Sequence, residues 1–78
     1  MKLIDIVKKI ILNYSENINI DAFNELKNYI KNNTYNSIEF LIKYNSLVKY
    51  IGTNGYKADN FVRGIINDMI NILKNNQK

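Results

Sequence analysis

The 78-residue sequence contains no cysteine, histidine, proline or tryptophan, and only three glycines. Without cysteine or histidine it lacks a thiolate nucleophile, an imidazole base and the ligands of an ordinary zinc site. Because there is no cysteine, the sequence also does not indicate whether the protein works in an oxidising or a reducing compartment. We therefore expect a protein that is not an enzyme and binds no metal.

The absence of proline and the scarcity of glycine favour helices joined by short turns over a turn-rich β fold. A chain of this length forms a single domain, residues 1–78, around one core. Because 46% of the residues are hydrophobic, such a core is feasible without a disulfide or a bound metal.

Long apolar runs are also missing, since no window approaches the roughly 18 to 20 consecutive apolar residues of a membrane span. The first residues, MKLIDIVKKIILNYS, are interrupted by an acid and a lysine pair, which makes them a poor signal peptide. The sequence predicts a cytoplasmic protein without a membrane-spanning segment.

The charge is basic but diffuse, with 11 Lys and Arg against 7 Asp and Glu and a net charge of +4. Nucleic-acid-binding proteins usually gather their positive charge on one face and use several arginines. Here Arg63 is the single arginine and the lysines are spread along the chain. This pattern predicts a solvated surface and no nucleic-acid partner, with a nucleic-acid-binding helical domain as a weaker alternative.

Four helices are predicted from the apolar spacing of three and four residues. The first covers Lys2–Tyr14, and Asp21 is the expected cap of a second, shorter helix. The third begins at Asn36 and ends at Gly52, in a left-handed terminating position. Asp59 is the expected cap of the last helix.

Three finer expectations follow from the same pattern. The isoleucines Ile18 and Ile20 should attach the loop after the first helix to the core. Phe61 should belong to the broad apolar stripe of the last helix, and Gly64 should allow another element to pack closely there.

The stretch YNSIEF, residues 35–40, opens the third helix near the middle of the chain. Asn36 is the expected cap, Ser37 the first helical residue, and Glu39 the acidic member of a capping box. The triplet Asn36-Ser37-Ile38 resembles the signature of acyl and peptidyl carrier proteins, in which an acidic or amide residue precedes Ser and then Leu or Ile. The stretches IDIVKKIILNYSENI and ADNFVRGIINDMINILKN are similar to the two ends of that family.

The resemblance implies a four-helix bundle of carrier-protein type, with three long helices and one shorter helix. It also implies that 4'-phosphopantetheine from coenzyme A is attached to Ser37, beside the cap Asn36. The thiol of this arm would carry acyl or aminoacyl groups as thioesters in fatty-acid, polyketide or nonribosomal peptide biosynthesis. The chain departs from the family pattern at Asn33 and Thr34, where carrier proteins usually have Leu and Gly.

The partners implied by the resemblance are a phosphopantetheinyl transferase and the loading and condensing enzymes, acting on a monomer. They would dock around the start of the third helix, on Tyr35, Ile38, Glu39, Leu41, Ile42 and Lys43. This helix carries Lys43 and Lys49, whereas the family's is acidic, so we expect a partner face that is acidic or largely apolar. Glu39 and Lys43 are spaced to form an ion pair along the helix.

Two other interpretations stay open. Ser37 is also explained as an ordinary helix-start residue. The chain as a whole could be a small helical interaction module, such as an immunity protein, an antitoxin or a phage inhibitor. An exposed apolar patch outside the core would favour the module.

Overall fold

The computed structural model describes residues 2–11, 16–32 and 37–75. These residues form four helices, which are α1 (Leu3–Ile10), α2 (Ile20–Asn32), α3 (Ile38–Asn54) and α4 (Asn60–Asn75). The described part contains no β-strand, and an isolated bridge pairs Asn17 with Lys57. The predicted all-α class with four helices is confirmed. The shortest helix is α1 rather than the second one.

Helix α1 forms because its apolar residues recur on one side, and five of its eight residues are buried. It ends at Ile10, since the backbone of Ile11 is extended. The predicted end at Tyr14 is therefore too late, and residues 12–15 lie outside the described part.

Helix α2 is capped by Asn19, whose Oδ1 accepts a hydrogen bond from the Ala22 N–H at 3.1 Å. The prediction of Asp21 as the cap was wrong, because the helix already begins at Ile20. Asp21 lies in the first turn instead, where its negative charge interacts favourably with the positive end of the helix dipole.

The end of α3 is set by Gly55, not by Gly52 as predicted. The helix continues through Gly52 to Asn54, and Gly55 has a φ of 79°. The Gly55 N–H donates to the Ile51 carbonyl at 2.9 Å and closes the last turn. A positive φ is costly for other residues, so glycine is required here.

Helix α4 begins as predicted, because Asp59 Oδ1 accepts a hydrogen bond from the Val62 N–H at 3.1 Å. Two other expectations fail in this helix. Phe61 is 57% exposed, so it does not belong to the buried stripe. Gly64 is exposed, and apart from its own helix no described atom lies within 4 Å of a Cβ built on it.

The helices pack in the order α2, α1, α4, α3, so α1 and α4 are central. Within the described residues, the backbone of α3 approaches that of α4 alone. The largest fully buried side chains of the core are Phe40, Ile10, Leu26, Leu47, Met69, Val7 and Val62. Since the described backbone of α3 lies close to that of one neighbour, this helix presents a wide face to solvent.

The two loops at one end of the bundle are joined by backbone hydrogen bonds. The Ile18 N–H donates to the Tyr56 carbonyl at 2.9 Å, and the Ala58 N–H donates to the Glu16 carbonyl at 3.0 Å. Ile18 and Ala58 are both buried in the core, as expected for Ile18. Ile20, the second isoleucine of this loop, is 47% exposed.

Candidate functional site at the start of helix α3

Ser37 is the N-cap of α3, not its first helical residue. Its backbone is extended, and its Oγ accepts a hydrogen bond from the Phe40 N–H at 3.2 Å. This places the cap one residue later than predicted, and Asn36 lies outside the described residues. The predicted capping box does not form here, because the third residue after the cap is Phe40. Its side chain cannot accept a hydrogen bond from the Ser37 N–H.

Ser37 is half-buried at the N-terminus of a 17-residue helix. The first backbone N–H groups of a helix point outward from this end, and the helix dipole makes it positive. An anionic group joined to Ser37 would meet both. By contrast, the Ser46 hydroxyl donates to the Ile42 carbonyl at 3.1 Å within the helix, away from such an end.

Two predicted docking residues, Ile38 and Ile42, are exposed beside Ser37. Ile38 is 74% exposed and Ile42 is 58% exposed. They are four residues apart, so they are neighbours on one helix face. The same helix buries Phe40 and Leu47 on its opposite side. We call Ile38 and Ile42 the isoleucine face of α3.

The other predicted docking residues differ in their exposure and in their contacts. Glu39 is exposed and Leu41 is half-buried at the edge of the packed side. Tyr35 lies outside the described residues. Lys43 Nζ forms an ion pair with Asp68 Oδ2 of α4 at 3.0 Å.

The Lys43–Asp68 pair replaces the predicted pair of Lys43 with Glu39. It connects α3 to α4, and both side chains keep substantial exposure, 39% for Lys43 and 52% for Asp68. Such an exposed pair adds about 1 kcal/mol at most to stability. It does, however, neutralise a lysine that was expected to attract a partner. Lys49 is exposed further along α3.

A polar and aromatic cluster at the far end of α3 was not predicted. The Tyr50 hydroxyl donates a hydrogen bond to Asp59 Oδ2, and the Tyr50 ring stacks on Phe61 with centroids 5.2 Å apart. The hydrogen bond from Tyr50, followed by that from the Val62 N–H, lowers the pKa of Asp59. The same bond raises the pKa of Tyr50. A local sequence pattern could not predict this cluster, because Tyr50 belongs to α3 whereas Asp59 and Phe61 lie at the start of α4.

The group that the start of α3 offers for chemistry is the Ser37 hydroxyl. No cluster of three or more acidic side chains among residues 2–11, 16–32 and 37–75 could hold a metal ion. In the same ranges, none of the helices has the length and apolarity to cross a membrane.

Comparison with known proteins adds no relative. No family model matches the chain, and neither a curated protein nor a solved structure matches it.

Proposed function

We propose that this chain is a carrier protein whose Ser37 bears a 4'-phosphopantetheine arm. The observation that carries the proposal is the position of Ser37. Ser37 is the cap of α3 and is half-buried, and the isoleucine face begins at the very next residue. A group attached there would lie beside a surface on which a protein can dock.

Attachment would use the Ser37 hydroxyl as the nucleophile toward coenzyme A in a transferase. Ser37 Oγ attacks the phosphorus that carries the pantetheine, the P–O bond to the adenosine half breaks and 3',5'-ADP leaves, while the hydroxyl proton passes to a base of the transferase. The resulting phosphodiester is anionic, so the N-terminus of α3 stabilises it through N–H groups and the dipole. The arm supplies the thiol that holds acyl or aminoacyl groups. The chain itself has no cysteine and therefore no thiol.

Under this proposal the chain works in the cytoplasm as a monomer and catalyses nothing itself. The transferase and the loading and condensing enzymes would contact Ile38 and Ile42. Because Lys43 is paired with Asp68, these contacts are largely apolar, with Lys49 as the nearby unit of positive charge. Changing Lys49 to Glu should alter the rate of association with an acidic partner more than the stability of the fold.

The test is the intact mass after incubation with coenzyme A and a broad-specificity phosphopantetheinyl transferase. We expect a gain of one phosphopantetheine. Ser37→Asn should abolish the gain and keep the helix cap, since Asn caps as well as Ser. Ser46→Ala should leave the gain unchanged. A folded wild type without any gain, or a gain that survives in Ser37→Asn, contradicts the proposal.

A second candidate is a helical protein-interaction module of the immunity-protein, antitoxin or phage-inhibitor type. The exposure of Ile38 and Ile42 favours it, because an isoleucine face serves a binding partner without any modification of Ser37. For this function, Ser37→Asn should leave partner binding unchanged and Ile42→Ser should weaken it. Equal effects of the two substitutions would count against the module.

A further inference from the structure

A cleft of about 450 Å³ lies between α1 and α4, distinct from the start of α3. This volume is in the range of small-molecule sites, roughly 300 to 1,000 Å³. Among the described residues, its lining comprises Lys8, Ile11, Arg63, Ile66, Asn67 and Ile70. Lys8 lies on α1 and Ile11 follows it, and the other four lining residues lie on α4, so the cleft is between the two central helices of the bundle.

The lining combines an apolar part with a basic part. Ile11 and Ile70 are half-buried and offer hydrocarbon surface to a ligand, whereas Ile66 beneath them is buried in the core. Lys8 comes from α1 and Arg63 from α4, so the positive charges come from both helices that form the cleft. None of the described lining residues is acidic.

The basic part can bind an oxyanion by hydrogen bonds as well as by charge. Arg63 carries five N–H donors, so it can bind an anion while keeping another contact within the protein. Asn67 is one turn further along α4 and adds an amide donor on the same side. Lysine and arginine together are typical of sites for carboxylates and phosphates.

We infer that this cleft binds a small amphipathic anion, with a carboxylate or phosphate head at Lys8 and Arg63 and an apolar body against Ile11 and Ile70, above the buried Ile66. The head is attracted by the two cations, and the body removes isoleucine surface from water. The inference does not depend on Ser37 or on the proposed carrier function.

The experiment is an NMR titration of the full chain with octanoate, octyl phosphate, octanol and inorganic phosphate. We expect octanoate or octyl phosphate to shift the methyl signals of Ile11, Ile66 and Ile70. Octanol and inorganic phosphate should bind at least about fivefold more weakly, because each offers one half of the chemistry. Whichever of the two anions binds more tightly identifies the head group.

Substitutions separate the charge from the fold. Lys8→Met should weaken binding about fivefold, while Lys8→Arg should retain it, and added salt should weaken it by screening. Lys74→Met is the matched control, since Lys74 is exposed on α4 outside the lining. The inference is overturned if octanol binds as tightly as the anions, if Lys8→Met and Lys74→Met behave alike, or if the three isoleucine signals do not move.

Discussion

The packing of α3 can be tested by comparing its two faces. Leu47 is completely buried and is one of only two buried residues in this helix, the other being Phe40. Replacing Leu47 by Ala should cost about 2 to 5 kcal/mol, because it removes buried methyl groups and leaves a cavity. A small domain has about 5 to 15 kcal/mol of total stability, so much of it would be lost.

Ile42→Ala is the control on the opposite face of the same helix. Ile42 is 58% exposed, and Ala is the better helix former, so the free energy of unfolding should change by less than about 0.5 kcal/mol. Thermal and urea unfolding followed by circular dichroism measure both variants. For Leu47→Ala the midpoint of thermal unfolding should fall by roughly 10 to 30 °C.

The result that would refute this reasoning is a similar loss in the two variants. It would mean that α3 does not turn Leu47 inward and Ile42 outward, and the isoleucine face beside Ser37 would no longer exist. A small loss for Leu47→Ala with an unchanged Ile42→Ala would show that α3 contributes little to the cooperative core.

Three other predictions concern the helix ends and a helix interior. Gly64→Ala should stabilise the fold by about 0.5 to 1 kcal/mol, because Gly64 is exposed within α4 and a Cβ there meets open space. Gly55→Ala should destabilise the fold by a similar amount or more, because Gly55 has a positive φ. Asn19→Ala should cost about 1 kcal/mol through loss of the α2 cap, and Asp21→Ala should cost less, since Asp21 does not cap. The stabilisation from Asp59 should be present above the ordinary carboxyl pKa and be lost as the pH falls through its lowered folded-state pKa, so Asp59→Asn should flatten the acid side of the stability profile.

Each of these predictions has a direct measurement. Urea unfolding at neutral pH compares the two glycine variants, and equal signs for Gly64→Ala and Gly55→Ala would contradict the assigned helix end. The same assay ranks Asn19→Ala against Asp21→Ala, and a larger cost for Asp21 would restore it as the cap. For Asp59, unfolding is measured across the acid range, and an unchanged profile in Asp59→Asn would show that this carboxylate contributes nothing there.

The helix ends show how far local rules reach. Asp59 was predicted correctly because capping depends on a side chain and a backbone N–H three residues apart. The same rule misplaced the caps of α2 and α3, since Asn19 and Ser37 each have another capping residue nearby in the sequence. Gly52 and Gly55 were confused for a similar reason, because both are glycines in one short stretch and either could take the positive φ that ends the helix, which the structure places at Gly55.

The candidate site was predicted in part. Ser37 lies at the start of α3 as expected, and Ile38 and Ile42 are exposed beside it. The partner of Lys43 was wrong, because Glu39 is reachable along the helix while Asp68 is brought close only by the packing of α3 on α4. A spacing rule can propose a neighbour on the same helix but not one on another helix.

The sequence by itself determined the helical class and the number of helices, because periodic apolar residues and the lack of proline act locally. Only the tertiary structure decided that α1 and α4 are central and that α3 packs on one neighbour. That arrangement forms the cleft at Lys8 and Arg63 and leaves the isoleucine face in solvent. The physical reason is that an apolar face specifies burial, whereas the choice of what covers it depends on how all the helices fill the core together.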